Sequence, residues 1–106
     1  MPKKGSIVLV AFPFADMAGD KRRPALVLGY SKELVILVFI TSRARGEKRW
    51  NIPIAATKQT GLAMRSTIRC DKVTSIDLRI ITGEIGEVSS AVLRSVDHKI
   101  RQLLQL

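Results

Sequence analysis

Two apolar runs bracketed by cations and hydroxyls constrain this chain most. Residues 25–28 and 34–40 are apolar on both alternations, and 29–33 between them carries Gly29, Ser31 and Lys32, a turn composition. Strands that are apolar on both sides need cover on both faces, so they read as central strands flanked by a barrel interior and a helix, or by a second subunit. Lys21-Arg22-Arg23-Pro24 precedes the first run, and Thr41-Ser42-Arg43 follows the second. In an antiparallel pair these ends lie side by side, which brings Arg23 close to Thr41 and Ser42. A rigid sheet carrying the cations Lys21, Arg22, Arg23 and Arg43 and the hydroxyls Thr41 and Ser42 at one end predicts a phosphate site, although a run such as Lys21-Arg22-Arg23 by itself is more often a solvated face.

The rest of the chain supports a β-rich fold. Residues 6–12 are apolar and end at Pro13, which predicts a first strand, and 14–22 has no period and reads as a long loop. A charged loop at 43–49 leads into residues 50–54, where Pro53 predicts an edge strand. Residues 55–64 form a second long loop. At 66–72, Ile68 and Cys70 alternate with Thr67, Arg69 and Asp71, a half-buried strand. Thr74, Ser75 and Asp77 predict a turn at 74–77, and the next strand runs over 79–87, with Gly83 and Gly86 permitting bends. From Ser89 or Ser90, either one a suitable N-cap, Val92, Leu93, Val96, Ile100, Leu103 and Leu104 recur at helical spacing. About six short strands and a terminal helix predict one domain over 1–106, built as a small, strongly bent antiparallel sheet or barrel.

The chain has 106 residues, with 18 Lys and Arg against 9 acidic residues and a net charge of +9. That charge favours polyanionic partners such as nucleic acid or an acidic peptide. Cys70 is the single cysteine, which excludes an intrachain disulfide and a cysteine-rich zinc site and fits a reducing, cytoplasmic setting. Lys3-Lys4 before an apolar run only faintly imitates a signal peptide, because Pro13 interrupts it. No apolar run approaches the roughly 18 to 20 residues that span a bilayer. His98 is the single histidine and falls on the polar face of the helix, so paired-histidine ribonuclease chemistry within one chain is excluded. Asp16 and Asp20 are the nearest thing to a carboxylate metal site and read as turn formers, so no metal or other cofactor is expected.

Arg69 and Asp71 project from one strand face, about 6.5 to 7 Å apart, while Cys70 faces the core. One reading is a structural salt bridge between strands. The other is a pair acting on one phosphodiester: Asp71 takes a proton from a ribose 2′-hydroxyl, and Arg69 and Arg23 stabilise charge on the phosphoryl oxygens.

Several of these segments, in order and in register, resemble the MazF/PemK (Kid) family of toxin endoribonucleases. They are Gly5-Ser6-Ile7-Val8-Leu9-Val10-Ala11-Phe12-Pro13, Lys21-Arg22-Arg23-Pro24-Ala25-Leu26-Val27-Leu28, Ile40-Thr41-Ser42, Ile68-Arg69-Cys70-Asp71, Ser75-Ile76-Asp77 and Gly86-Glu87-Val88-Ser89. The resemblance implies an SH3-like barrel of the MazF/PemK/CcdB type with a C-terminal helix. It implies a homodimer, an acidic antitoxin partner, and metal-independent cleavage of single-stranded RNA to 2′,3′-cyclic phosphate and 5′-hydroxyl ends. By position, Arg23, Thr41, Ser42, Arg69 and Asp71 take the family's site positions. Two departures stand out: Ser6 and Ala11 replace acidic residues common there, and the alternatives are an altered sequence preference, the loss of an auxiliary acid, or no effect. The competing functions are a CcdB-like poison of DNA gyrase and a non-catalytic nucleic-acid-binding barrel. The second needs stacking aromatics, of which Trp50, beside a basic loop, is the one to test.

Overall fold

A computed structural model describes residues 2–11, 22–43 and 46–106. The far end of the first strand at Phe12, the loop at 14–21, Lys21, Asp16 and Asp20 lie outside the described residues. Six antiparallel strands form one sheet in the order β4-β5-β3-β2-β1-β6, followed by a single helix. They are β1 (Ser6–Ala11), β2 (Arg22–Tyr30), β3 (Leu34–Thr41), β4 (Asn51–Ile54), β5 (Ser66–Asp77) and β6 (Ile81–Glu87), with α1 at Ser90–Leu104. This is the mainly β fold with a C-terminal helix that the sequence predicts.

The centre of the sheet is apolar on both faces, as the run composition requires. Ile7, Leu26, Val38, Ile40, Ile68 and Cys70 pack on one face with Val96 of the helix. Val8, Val10, Ala25, Val27, Val35 and Leu37 pack on the other with Ile76. This second core explains the roll of the sheet. Leu78 and Ile80, from the three-residue 3-10 turn at Leu78–Ile80, and Ile81 of β6 all join it. That turn links β5 directly to β6, although β3, β2 and β1 lie between them in the sheet. So short a link requires the sheet to curl until its two sides meet.

Helix α1 begins as expected: Ser89 is its N-cap, and its Oγ accepts from the Val92 N–H at 3.2 Å. Val92, Leu93, Val96 and Ile100 face the first core, and Val96 is fully buried, a burial worth about 1.5 to 3 kcal/mol. Leu104, expected in the same stripe, is half exposed in the last turn. Lys4 pairs with Asp97 at 3.0 Å and Lys99 donates to the Arg49 carbonyl at 2.5 Å, tying the helix to both ends of the sheet. The loop at 55–65 is built rather than slack. The buried Thr60 hydroxyl donates to the Ala55 carbonyl and accepts from the Thr57 N–H, and the Glu87 N–H donates to the Gln59 carbonyl.

The structure corrects several boundaries. Arg22, expected as the last residue of the loop over 14–22, already belongs to β2 and pairs with Ala11. Residues 74–77 are not a turn: β5 continues through them, pairing Val35 with Ile76 and Leu34 with Asp77. β3 supplies a full-length partner for this segment, and such pairing outweighs the turn preference of Thr, Ser and Asp. Gly29 belongs to β2 rather than to the turn, because it pairs with Ile36. Trp50 and Arg79 belong to short 3-10 turns (Lys48–Trp50 and Leu78–Ile80) that precede their strands. Pro53 does lie on an edge strand, β4, as its missing N–H demands.

Candidate nucleic-acid site

The candidate residues meet where β5 changes partners. Ile68 pairs with Ile40, but the next rung joins Val73 to Val38, so residues 69–72 stand against the single position Phe39. Arg69 meanwhile pairs with Asn51 of edge strand β4. An insertion of this kind bends a strand sharply and re-aims its side chains. Ile68 and Cys70 keep their places in the helix-side core, and Arg69 and Asp71, alternating with them, face the opposite side.

Arg23 and Thr41 come to that same side. Ala25 pairs with Phe39, and both belong to the second core. Continuing the rung two residues toward the strand ends sets Arg23 level with Thr41, on the face that Ala25 and Phe39 share. Arg23 is exposed and Thr41 half-buried. The Thr41 Oγ1 accepts from the Arg43 N–H at 3.1 Å, which leaves its own O–H able to donate elsewhere. Ser42 and Arg43 follow as exposed residues in the bend. Arg22, also exposed, alternates with Arg23 and so points to the other face, flanking rather than lining the cluster.

Arg69 and Asp71 make the most defined contact of the cluster. Arg69 donates from Nε to Asp71 Oδ1 at 3.1 Å and from Nη2 to Oδ2 at 3.0 Å. Their side chains are 15% and 23% exposed. The salt bridge expected between strands thus forms within one strand, between residues two apart. The Arg69 hydrogen bonds hold the Asp71 carboxyl below its ordinary value, and Asp71 in turn raises the Arg69 guanidinium. Asp71 is therefore ionised throughout the neutral range. Beneath them burial pushes the Cys70 thiol up to about 11, which removes it as a nucleophile at neutral pH.

Other candidates fall away from the cluster. His98 lines a shallow groove on the outer side of α1 with Arg94 and Lys99, across the sheet from Arg69. Trp50 is buried, and the Arg49 guanidinium lies 4.3 Å from its ring centroid, so packing rather than base stacking occupies it. Ser6 sits at the start of β1, opposite Glu87 of β6, whereas Ala11 at the other end pairs with Arg22 of β2. The fully buried Ser6 hydroxyl donates to Glu84 at 3.1 Å and accepts from the Lys3 N–H. The Ser6 hydroxyl thus ties β1 to the Glu84 carboxylate of β6. Among the described residues no three His, Cys, Asp or Glu side chains are grouped to hold a metal. Nor is any described helix long and apolar enough to cross a membrane.

A sequence model described as the PemK-like, MazF-like toxin of type II toxin-antitoxin systems matches residues 3–104. The chain belongs to this family. MazF in a MazE-MazF structure from Deinococcus radiodurans is 29% identical, with 99% of this chain and 97% of that one aligned at a TM-score of 0.79. MazF alone from the same organism gives 28% identity, the same coverage and a TM-score of 0.78. The Mycobacterium tuberculosis toxin MazF-mt6, at 22% identity, aligns over 95% of this chain and 97% of its own with a TM-score of 0.76, a likeness of fold. None of the curated proteins compared with the chain matches it. Membership of the PemK/MazF toxins accounts for the rolled sheet and the single terminal helix together.

One residue beside the cluster gave no signal in the sequence. Gly46, in the charged loop after β3, packs against the Arg69 guanidinium. Glycine in a polar loop is too common a pattern to mark a site.

Proposed function

We propose that this chain is the endoribonuclease toxin of a type II toxin-antitoxin pair, cleaving single-stranded RNA through the substrate's own 2′-hydroxyl. The observation that carries the reading is the bidentate Arg69–Asp71 pair at the β5 bend, facing the same side as Arg23 and Thr41. In this mechanism the 2′-oxygen attacks phosphorus and loses its proton to the Asp71 carboxylate, while the bond from phosphorus to the 5′-oxygen breaks. Arg69 and Arg23 stabilise the charge that gathers on the phosphoryl oxygens, and Thr41 and Ser42 donate hydrogen bonds that position the phosphate. Asp71, its carboxyl lowered by Arg69, is a weak base, so most of the acceleration falls to alignment and charge stabilisation. A guanidinium raised by its partner is no proton donor, so the departing 5′-oxygen draws its proton from water. Lys21, Arg22 and Arg43 contribute cations that hold flanking phosphates. No metal takes part.

Partners follow from charge and surface. A net charge of +9 suits an acidic antitoxin that lies over the cluster and blocks RNA by occupancy, and the Deinococcus radiodurans relative is seen with MazE. Leu34 and Ile36 on β3 and Val73 on β5 remain 43%, 36% and 36% exposed, apolar surface that supports a homodimer. Incubating the protein with a long unstructured RNA in EDTA, then mapping the ends and testing for cyclic phosphate, decides the reading. Discrete cuts that survive EDTA and vanish in Asp71→Asn are expected. Salt-sensitive binding without cuts would instead make this a binding barrel, and neither binding nor cutting would turn attention to gyrase.

A further inference from the structure

The Arg69 guanidinium is held by Asp71 on one side and has Gly46 as its neighbour on another. Asp71 takes Nε and Nη2. Gly46, at φ +77°, lies against the same group: a Cβ at position 46 would stand 2.7 Å from Nη2, 3.0 Å from Cζ and 3.4 Å from Nε. An exposed arginine would swing away from such a collision. Arg69 is 15% exposed and bonded twice to Asp71, so its retreat would strain that pair. Of its five N–H donors, Asp71 uses one on Nε and one on Nη2, and the space beside Nη2 is open only because residue 46 has no Cβ. Nη1 is the nitrogen that neither contact takes.

We infer that Gly46 is a positioning residue for Arg69: its missing side chain lets the loop after β3 rest against the guanidinium and, with Asp71, turns Nη1 toward a substrate phosphate. The inference rests on the reading of Arg69 as a phosphate-binding group. It assigns the loop a part in catalysis through geometry rather than through its charges.

Gly46→Ala and Gly46→Asn test it together, because asparagine tolerates a positive φ but still carries a Cβ. Two readouts apply: titration of the Asp71 carboxyl by carbon NMR, and steady-state RNA cleavage. Both variants should return the Asp71 titration toward the ordinary carboxylate range and lower kcat by about tenfold or more with KM changed less than about threefold. In an Arg69→Lys background, which has no Nη2, adding Gly46→Ala should change neither readout. The inference is overturned if Asp71 titrates in both variants as in the parent, or if Gly46→Asn behaves as the parent while Gly46→Ala does not, which leaves only a backbone role. It is also overturned if Gly46→Ala has the same effect with lysine at 69, or unfolds the protein in both backgrounds. Unfolding confined to the Arg69 background supports it. A parent that cuts no RNA defeats the nuclease reading alone, since the titration still decides whether Gly46 sets Arg69.

Discussion

The first half of β5 and its C-terminal end carry the same local device in two settings. Arg69 clasps Asp71, and further along Arg79 clasps Asp77, each with Nε and Nη2 on the two carboxylate oxygens at 2.9 to 3.1 Å. The first pair is 15% and 23% exposed; the second is 89% and 41% exposed. Asp77 also accepts from the Arg79 N–H at 2.8 Å and so caps the 3-10 turn. Its carboxyl is driven down to about 2, chiefly by the Arg79 side chain, yet it stands in open solvent beside no other candidate group. A perturbed carboxylate therefore does not by itself mark a site. What separates Asp71 is partial desolvation, a strand bend that re-aims it, and the face it shares with Arg23 and Thr41.

The largest difference between the pairs should appear in cleavage. Arg69→Ala is expected to lower kcat by about a hundredfold or more, the scale of losing a transition-state donor, while Arg79→Ala leaves kcat and KM as in the parent. Equal losses in both would erase the distinction. Next comes stability. Asp71→Asn leaves the half-buried Arg69 charge without its partner and should lower the urea-unfolding free energy by about 1 to 3 kcal/mol, whereas Asp77→Asn should have a much smaller effect.

The smallest contrast lies in pH and salt. Both carboxyls titrate lower when folded than unfolded, so each contributes stability that is complete above the unfolded value and is lost as pH falls through the folded one. For Asp77 that window runs from near 3.8 down to about 2. Thermal melting followed from pH 5 to pH 2 should fall in the parent and fall less steeply in Arg79→Gln. High salt should flatten the Asp77 share more than the Asp71 share, because the exposed pair is the better screened. The reverse order would mean that the β5 bend is wetter than its burial indicates.

Much of this arrangement was legible in the residues. The doubly apolar runs specified central strands, Pro53 an edge, and the alternation about Cys70 a face bearing Arg69 and Asp71. The 3.6 spacing after Ser89 specified the helix that covers one core. Local composition failed at 74–77, where Thr, Ser and Asp resemble a turn but lie opposite β3, and only long-range pairing decides such a case. It could not show the bend either: nothing in Arg69-Cys70-Asp71-Lys72 announces that four residues will oppose one. The proximity of Gly46 to Arg69 is likewise a product of the fold, as is the hydrogen bond from Ser6 to Glu84.

The three-residue turn that rolls the sheet also fixes an order of events in synthesis. Every candidate site residue precedes position 72, so a nascent chain carries the whole cluster before β6 exists. Until β6 pairs with β1, the second core lacks one wall and the sheet has no means to curl. Folding thus waits on contacts between residues nearly eighty positions apart, such as Ile7 with Gly86, and such distant closures are slow. A chain built this way holds its candidate residues in place only after residue 87 has been made and β6 has found β1.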